Sequence, residues 1–408
     1  MNIIEVNYTD LPGRIFNGYD LHLTLNQMGH VCNQIVKFKR SSDNSVKELE
    51  SNSFLEYSLK YIEDMFSMNN LLNIRGKQLM DQDCFNNADI VHYHILHNNM
   101  ISLLDLPELI NKKPSVWTIH DPWMITGNCV YPLECSKWLD GCYKCCNLNY
   151  KYFEMKEDKA SEMWKIKEKI YKQLDVDLIV STEFMKKYIQ HSPLTMNFKK
   201  IHKIPFGVKV EEFEKVNRIE IRKKYNIGIN EFVIGFRNEE SPIKGCKYIY
   251  EALKELEFHK DVVIITVGSA ILSDDIKNKF KVIELGWQDN DLVMKEFFSL
   301  CNVFLMPSLA ESFGLMAIEA MAAMSTVVCF KDTVLEEVTF APECGVAVEY
   351  GDSIKLRNVV EHFIKYPEEC TKRGIKGREV VKEYYQYKDY VMRHLNLYKE
   401  IMKNKETY

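Results

Sequence analysis

The sequence predicts an α/β protein with two domains, each built around a parallel β-sheet. Apolar runs of strand length alternate with amphipathic segments of helix length along the chain, which is typical of parallel sheets covered by helices. At 408 residues the chain is too long for one ordinary hydrophobic core. The segment KIPFGVKVEEF, at 203–213, carries Pro205 and Gly207 and separates two such series. We therefore expect domains over 1–204 and 205–384, with a helix over 385–408 that packs back on the N-terminal domain.

The apolar runs indicate where the strands and helices of each series lie. In the first series, strands are predicted at 3–6, 89–96, 116–120 and 177–181, with a first helix near 17–28. In the second series, strands are predicted at 232–236, 262–267, 282–285, 303–305 and 327–330, and helices near 246–256, 292–300, 314–324 and from 367 onward. Open parallel sheets bind ligands beyond the carboxyl ends of their strands. Two such sheets suit the transfer of a group from one molecule to another.

Composition and charge exclude several classes of protein. The net charge of −5 gives no basic field for nucleic acid. The N-terminal segment MNIIEVNYTDLPG lacks the apolar stretch of a secretory signal. No run approaches the roughly 20 apolar residues that a membrane-spanning helix needs. We expect a cytoplasmic protein without a nucleic-acid partner, and peripheral contact with the inner face of the membrane stays open.

The segment PSLAESFGLMAIEAM, at 307–321, holds the pattern richest in chemistry. Glu311 falls in a loop after a predicted strand, and Glu319 lies about two turns into the helix that follows. Gly314 stands where that helix starts, so backbone N–H groups and the helix dipole would face an anion there. Two carboxylates flanking an anion site suit a ligand with hydroxyl groups at both ends and a diphosphate between them.

Counter-charges lie upstream of this segment. Arg237 ends the first strand of the second series, and Lys244 follows in SPIKG, just before a helix. Both would stand at the carboxyl edge of the sheet, where they can neutralise a leaving diphosphate. Gly286 ends another strand and would let the backbone approach a nucleobase. Each charged residue alone would ordinarily be a solvated surface group, and their shared position favours a ligand site.

These residues resemble a known family. Glu311 through Glu319, with Pro307, Ser308, Phe313 and Gly314 in place, resembles the E-x7-E signature of the GT4 family of retaining glycosyltransferases. The segments 88–94, 118–121, 181–184, 204–208 and 237–245, followed by Gly286, stand in the order of that family's GT-B fold. The resemblance implies two Rossmann-like domains that face each other across a cleft. Phe206 and Phe236 depart from the Asn and Gly that the family usually carries.

The resemblance also implies roles for single residues. Glu319 would hold the donor ribose and Glu311 the hydroxyls of the transferred sugar, while Arg237 and Lys244 would stabilise the leaving diphosphate. His120, which ends a strand in WTIHD, would lie near the transferred sugar and the acceptor. No metal or other cofactor is expected for catalysis, because the cationic side chains replace it. The remaining residues expected to bind the donor are Gly13, Arg14, Gly286, Ser312, Phe313, Gly314 and Leu315.

Two further patterns are weaker. In the first βα loop, TDLPGRIFNG, only Gly13 stands where the family often has a glycine pair, and Arg14 would supply positive charge instead. His92, His94 and His97 look superficially like a metal cluster. They match an ordinary core strand of the family, so we interpret them as structural.

Five cysteines crowd into an insert at 123–150. Four of them have the number and local spacing of ligands to a structural zinc ion: Cys129, Cys135, Cys142 and Cys145. Disulfides are disfavoured by the expected compartment, and small packed side chains are the third alternative. Cys146 is expected to be a bystander. The segment also resembles an insert in those GT4 enzymes that build cell-surface polysaccharides.

Together these observations predict a retaining hexosyltransferase. The donor would be a nucleoside diphosphate sugar, and the acceptor a saccharide or a lipid-linked saccharide in cell-surface polysaccharide synthesis. The segment 151–172 would lie near a membrane or form a solvated helix with an apolar core face. Two alternatives remain: a catalytically silent sugar-binding or partner module of the same fold, and a nucleotide-sugar epimerase.

Overall fold

Two structural units make up the chain. The computed structural model describes residues 1–11, 13–50, 53–148, 154–257 and 261–406. The first unit runs from Met1 to Pro205 and takes in the chain again from Tyr390 onward, while the second unit is Phe206–Asp389. The division after Pro205 falls within the segment predicted as the crossing. Positions 149–150, 151–153 and 407–408, which belong to the predicted insert, the predicted membrane-proximal segment and the predicted terminal helix, lie outside the described residues.

A parallel sheet forms the centre of the first unit. Among the described residues it has seven strands in the order β3-β2-β1-β4-β5-β6-β7. Their bounds are β1 (Asn2–Thr9), β2 (Val31–Phe38), β3 (Val46–Glu48), β4 (Ile90–Tyr93), β5 (Ser115–Thr118), β6 (Asp177–Val180) and β7 (Ile201–Lys203). Strands β4, β5 and β6 are buried along their whole length, as expected for strands covered on both faces. The strands after β1 are added first on one side of it, as β2 and β3, and then on its other side, from β4 onward.

Helices cover this sheet. They are α1 (Tyr19–Gln27), α2 (Ser53–Met65), α3 (Arg75–Met80), α4 (Asp83–Asn86), α5 (Leu106–Lys112), α6 (Ala160–Tyr171) and α7 (Glu183–His191). Short 3-10 turns at Leu103–Asp105, Pro122–Ile125 and Lys137–Asp140 interrupt the connections. A core of buried aliphatic and aromatic side chains, including Val91, Trp117 and Trp123, packs between the sheet and these elements.

A second parallel sheet forms the centre of the second unit. Its six strands among the described residues follow the order β10-β9-β8-β11-β12-β13. Their bounds, continuing the numbering, are β8 (Phe232–Arg237), β9 (Val262–Val267), β10 (Lys281–Glu284), β11 (Val303–Leu305), β12 (Thr326–Phe330) and β13 (Val346–Val348). Here the strand order reverses between β8 and β11, which are parallel, hydrogen-bonded neighbours. This place is the reversal point of the sheet.

The helices of the second unit cover its sheet in the same way. They are α8 (Val210–Glu214), α9 (Arg218–Lys224), α10 (Cys246–Lys254), α11 (Asp274–Lys279), α12 (Asp291–Leu300), α13 (Leu315–Ala322), α14 (Val334–Val338), α15 (Ser353–Lys365) and α16 (Pro367–Tyr384). A 3-10 turn at Pro242–Lys244 precedes α10. The following helix, α17 (Tyr387–Glu406), carries the chain from the second unit into the first.

The predicted fold class is confirmed, because both units are Rossmann-like parallel sheets covered by helices. The strands that sequence reasoning did not predict are β2, β3, β7 and β13, of which three have only three residues. Glu319 is the fifth residue of α13, so it lies little more than one turn into the helix, and the expected two turns were wrong. In the part of the chain that the structure describes, no helix is both long and apolar enough to cross a membrane.

Candidate active site

The reversal point of the second sheet collects the predicted catalytic residues of that unit. The loop after β8 carries Lys244, and the loop after β11 carries Glu311. Because β8 and β11 are neighbours and parallel, these two loops emerge side by side at the carboxyl edge of the sheet. In open α/β sheets, ligands bind in the crevice at such a point.

Lys244 and Glu311 form an ion pair. Lys244 Nζ lies 2.6 Å from Glu311 Oε1, and the Ser308 hydroxyl donates to the same carboxylate oxygen at 3.1 Å. The two charged side chains are 29% and 11% exposed, so both are reachable from solvent while being held in place. The structure thus brings together two residues that the sequence places 67 positions apart.

The two loops are tied to each other through their backbones. The Leu309 amide donates to the Ile243 carbonyl at 2.7 Å. Gly245 has a φ of +71°, and a Cβ added there would lie 1.9 Å from the carbonyl oxygen of Pro307. Any side chain at this position would push the loops apart, so the close approach of Lys244 to Glu311 requires glycine at 245.

Arg237 is the last residue of β8. Its guanidinium is ion-paired with Glu239 and stands 5.5 Å from the ring centroid of Trp287. Trp287 directly follows Gly286, which has a left-handed φ of +67°. A Cβ added at Gly286 would have no heavy atom within 4 Å. The predicted site did not include this exposed aromatic ring beside a cation, although Trp287 is part of the ELGW sequence that was used to place Gly286.

The start of α13 has the predicted geometry. Gly314 caps the helix with a φ of +95°, and a Cβ there would lie 2.4 Å from Leu335 Cδ2. Ser312 and Phe313 are buried, with the ring of Phe313 at 5.3 Å from that of Phe206. Leu315, the first residue of the helix, is half-buried.

Glu319 faces a different environment from Glu311. Burial, reinforced by the carboxylate of Asp291 and opposed by Lys295, raises the pKa of Glu319 to about 7. Its side chain is therefore close to half-protonated at neutral pH in the absence of ligand. A carboxyl group with a pKa near the working pH is a recurring feature of functional sites.

His120 stands one strand away from the point where the strand order of the first sheet reverses, which lies between β1 and β4. It follows β5 and is 4% exposed. Its Nε2 lies 3.0 Å from His94 Nδ1, and His94 Nε2 contacts a carboxylate oxygen of Glu5. Glu5 belongs to β1, and His94 directly follows β4. The three side chains thus form a row across the two central strands and the next one.

Further polar groups complete this buried cluster. The Tyr398 hydroxyl, from α17, donates to Glu5 Oε1 at 3.1 Å. His92 Nδ1 lies 2.6 Å from the same hydroxyl, and His92 Nε2 lies 2.6 Å from Thr118 Oγ1. Sequence reasoning interpreted His92 and His94 as core residues and missed Glu5 and Tyr398. Spacing along the chain gives no signal for a cluster that joins residues 5, 94, 120 and 398.

The first βα loop packs against this cluster. The ring of Phe16 lies 4.3 Å from the ring of His120. A Cβ at Gly18, which has a φ of +73°, would approach His94 to 3.0 Å. Gly13 has a φ of +81°, and Arg14 is ion-paired with Asp20 at 2.7 Å. The loop therefore lies at the edge of the site, and the charge of Arg14 is balanced by an acid of α1.

Beyond His120, the chain is held by buried polar contacts. His97 Nε2 lies 3.2 Å from Asp121 Oδ2, so His97 has a structural contact next to the site. Lys167 is buried and donates to the carbonyls of Trp123 and Thr126 at 2.6 and 2.9 Å. Burial lowers the pKa of Lys167 to about 7.

The cysteines of the insert are described through Cys146, and all are free thiols. The Cys129 and Cys145 thiols are hydrogen-bonded to each other, which raises the pKa of Cys129 and lowers that of Cys145. Cys135 is hydrogen-bonded to Cys146, and Cys142 Sγ accepts from the Gly127 amide at 3.1 Å. Within the described residues, the one trio of ligand atoms that lie within 4.8 Å of one another belongs to Glu5, His92 and His94. The predicted zinc site stays a prediction.

Comparison with known proteins bears most directly on the second unit. The family model described as glycosyl transferases group 1 matches residues 217–380. The putative colanic acid biosynthesis glycosyl transferase WcaC of Escherichia coli K12 is 28% identical over 195 residues, which cover 43% of this chain and 46% of that protein. The chain spans about half the length of the curated relatives it matches.

Solved structures resemble the whole chain in fold. Sucrose-phosphate synthase from Thermosynechococcus elongatus matches with a TM-score of 0.72 and 16% identity, covering 99% of this chain and 100% of that one. HepE of Anabaena, solved in complex with UDP, matches with a TM-score of 0.68 and 15% identity over 98% and 100% of the two chains. Residues 217–380 are thus similar to the glycosyl transferases group 1 family, and the two units of the chain have the GT-B fold.

Proposed function

We propose that this protein is a retaining glycosyltransferase that moves a sugar from a nucleoside diphosphate sugar to a saccharide acceptor. The observation that carries the proposal is the pair formed by Lys244 and Glu311 at 2.6 Å, at the reversal point of the second sheet and beside the N-terminus of α13. A cation, a carboxylate and the start of a helix at one sheet edge suit a ligand that combines anionic and hydroxyl groups.

The ion pairs seen without ligand suggest how the donor is held. Lys244 is paired with Glu311, and Arg237 is paired with Glu239. A diphosphate would draw the two cations toward itself and stabilise the charge that builds up as the glycosidic bond breaks. The carboxylate of Glu311 would then accept hydrogen bonds from hydroxyls of the transferred sugar. No metal ion is required in this scheme, because the two cations neutralise the leaving group.

Glu319 is assigned to the ribose of the donor. A carboxylate that accepts hydrogen bonds from two vicinal hydroxyls is stabilised in its ionised form. With the pKa of Glu319 at about 7 in the absence of ligand, donor binding would release a proton near neutral pH. Gly286, Ser312, Phe313, Gly314 and Leu315 are kept as the remaining donor-binding residues of the second unit, and Gly13 and Arg14 as those of the first.

The acceptor is assigned to the first unit, with His120 near the reacting groups. WcaC is named for colanic acid biosynthesis, which supports a role in building cell-surface polysaccharide. We place the reaction in the cytoplasm, with a lipid-linked saccharide at the inner face of the membrane as the acceptor to test first. Attack would occur on the face that the diphosphate leaves, and a phosphate oxygen would take the proton of the acceptor hydroxyl.

A structural zinc ion in the insert is a separate proposal. Cys129 and Cys145 are in contact, whereas Cys135 contacts Cys146, so the predicted set with Cys142 would have to draw closer to bind one ion tetrahedrally. Metal analysis of the purified protein tests it directly. One equivalent of zinc that is lost in the Cys145→Ser variant supports the site, and a zinc-free, fully folded protein rejects it.

The decisive experiment for the transferase is titration calorimetry with UDP, GDP and ADP in the presence of EDTA. Binding of one nucleotide, abolished or weakened at least tenfold in Glu319→Ala, supports the donor site and names the donor class. The matching nucleotide sugars are then incubated with the protein and followed by NMR. Release of a sugar that first appears with the anomeric configuration of the donor supports retention.

Other outcomes of the same experiment identify the alternatives. Failure to bind all three nucleotides would overturn the proposal and favour a silent module. Conversion of one nucleotide sugar into its epimer, with the diphosphate still attached, would replace a transferase by an epimerase.

A further inference from the structure

A row of three buried side chains leads to His120 from the centre of the first sheet. Glu5 contacts His94 Nε2, and His94 Nδ1 lies 3.0 Å from His120 Nε2. Glu5 and His94 are 0% and 2% exposed. Buried polar groups in such a row must match donor to acceptor at each contact, because a mismatch costs the full desolvation of a group.

The protonation states follow from the contacts. Burial alone would raise the pKa of Glu5, but the adjacent His92 and His94 hold it well below its ordinary value, so Glu5 is ionised and only accepts. His94 must then donate from Nε2. Burial lowers the pKa of His94 to about 4, so the ring is neutral and its Nδ1 carries a lone pair. That lone pair accepts from His120 Nε2–H.

The remaining contacts of the cluster agree with this assignment. The Tyr398 hydroxyl donates to Glu5 Oε1 at 3.1 Å and accepts from His92 Nδ1–H at 2.6 Å. His92 Nε2 then accepts from the Thr118 hydroxyl at 2.6 Å. His92 Nδ1 also lies 3.3 Å from Glu5 Oε2. Each of these contacts can be given one donor and one acceptor, with the negative charge on Glu5 and a neutral ring on His94.

We infer that Glu5 and His94 are positioning residues that hold His120 as the neutral Nε2–H tautomer. His120 therefore offers Nδ1 as a hydrogen-bond acceptor, and the ligand group that it meets is a hydrogen-bond donor such as a hydroxyl. A phosphate or carboxylate oxygen is excluded, because it would need a proton on Nδ1. For the proposed transferase, on which this consequence rests, the group that His120 binds is a sugar hydroxyl and not a phosphate.

A metal ion is the competing explanation for the same cluster. Glu5, His92 and His94 offer three ligand atoms within 4.8 Å of one another. However, both nitrogens of His92 and both nitrogens of His94 already contact protein groups. A metal ion bound there would have to displace the hydrogen bond between His94 and His120 and the one that Tyr398 donates to Glu5. The observations therefore favour a closed hydrogen-bond network.

The test is NMR of the intact protein labelled with ¹⁵N at histidine. The two ring nitrogens of each histidine report which one carries hydrogen, and a spectrum of His120→Gln assigns the His120 signals among the 11 histidines. We expect a neutral His120 with hydrogen on Nε2 from pH 6 to pH 8. An Nδ1–H tautomer, an imidazolium in this range, or one equivalent of bound metal whose removal shifts the His94 signals would overturn the inference.

Two variants separate positioning from general packing. Glu5→Gln keeps the shape of the side chain and removes the charge that fixes His94, so we expect the His120 signals to become a mixture of both tautomers. His202→Gln removes another histidine–carboxylate contact, at 2.8 Å from Asp177, and should leave the His120 tautomer unchanged. An unchanged tautomer in a folded Glu5→Gln protein would contradict the inference.

Kinetics add a second readout that depends on the proposed function. In Glu5→Gln we expect kcat for transfer to fall about tenfold or more, with nucleotide affinity at the second unit unchanged. An equal kcat would remove Glu5 and His94 from the set of positioning residues. If no donor supports transfer at all, the proposed function fails while the NMR result still decides the tautomer.

Discussion

The two sheets share a reversal of strand order, and the side chains near it differ in their electrostatics between the two units. In the first unit, Glu5, His94 and His120 are at most 4% exposed and form a row of hydrogen bonds with one buried negative charge. In the second unit, Lys244 and Glu311 are 29% and 11% exposed and form an ion pair. The first arrangement fixes the orientation of neutral rings, and the second keeps full charges available for a ligand. Under the proposed function, the first unit would recognise hydroxyls and the second unit would recognise anions.

The largest effect is expected for the cation of the second unit. Lys244→Ala should lower kcat for transfer by about 100- to 1000-fold, because a charge that stabilises the leaving diphosphate is lost. Lys247, an exposed lysine at the start of α10, provides the matched control, and Lys247→Ala should transfer at the wild-type rate. Steady-state kinetics with the donor found by calorimetry makes the measurement. Wild-type turnover in Lys244→Ala would remove this cation from the catalytic set.

The next effect concerns the approach of the two loops. Gly245→Ala combines a left-handed φ with a Cβ that would meet the Pro307 carbonyl at 1.9 Å, so unfolding should become easier by about 3 kcal/mol. Gly286→Ala has a similar φ, but its Cβ would meet no atom within 4 Å, and about 1 kcal/mol is expected. Denaturant titrations of both variants give the difference. Equal losses would mean that the close approach at Gly245 does not constrain the loops.

Glu319 should make the stability of the second unit depend on pH. Its pKa is raised from 4.5 to about 7 in the folded protein, so the associated stability is present below pH 4.5 and is lost as pH rises through 7. Glu319→Gln removes this dependence. The variant should gain roughly 2 kcal/mol over wild type between pH 5 and pH 8, while it loses donor affinity. Denaturant titrations at both pH values measure the gain, and a pH-independent difference would contradict it.

The smallest effect tests the first unit. Tyr398→Phe deprives Glu5 of a donor and His92 of an acceptor, and should cost about 1 to 2 kcal/mol. Tyr171 is also fully buried, yet among the described residues its hydroxyl has no hydrogen-bond partner. Tyr171→Phe should therefore be neutral or slightly stabilising. If the two variants unfold at the same denaturant concentration, the Tyr398 hydroxyl does not hold the cluster together.

Sequence reasoning reached the second site more completely than the first. Arg237 ends a long strand, and Lys244, Glu311 and Gly314 lie in the connections after β8 and β11, so the pattern indicates the edge of the sheet on which they lie. Their pairing with Glu239 and Ser308 was not predicted, because surface acids and hydroxyls have no periodic signal. In the second sheet, β13 escaped prediction because its three residues form a short apolar run between Gly345 and Glu349, whereas the equally short β11 lies in a longer apolar run at 303–306.

The first site could be predicted only in part. His120 was found at a strand end, but Glu5 lies inside a strand between apolar residues, and positions 3–7 of that strand are all buried. A charged residue in such a strand contradicts the usual rule for a core, and this conflict is the one available signal. Nothing in the spacing indicates that Glu5 meets His94 and Tyr398, since these contacts depend on the order of strands and on the path of α17.

The contact between Glu5 and Tyr398 spans 393 positions of the chain. A ribosome produces the chain from its amino terminus, and domains ordinarily fold in that order as they emerge. Here the second unit is continuous, whereas the polar core of the first lacks its tyrosine until residue 398 has been made. The unit that is synthesised first is therefore the last to be completed. All strands of the second unit have been made before Tyr398, the residue that donates to Glu5, is added to the chain.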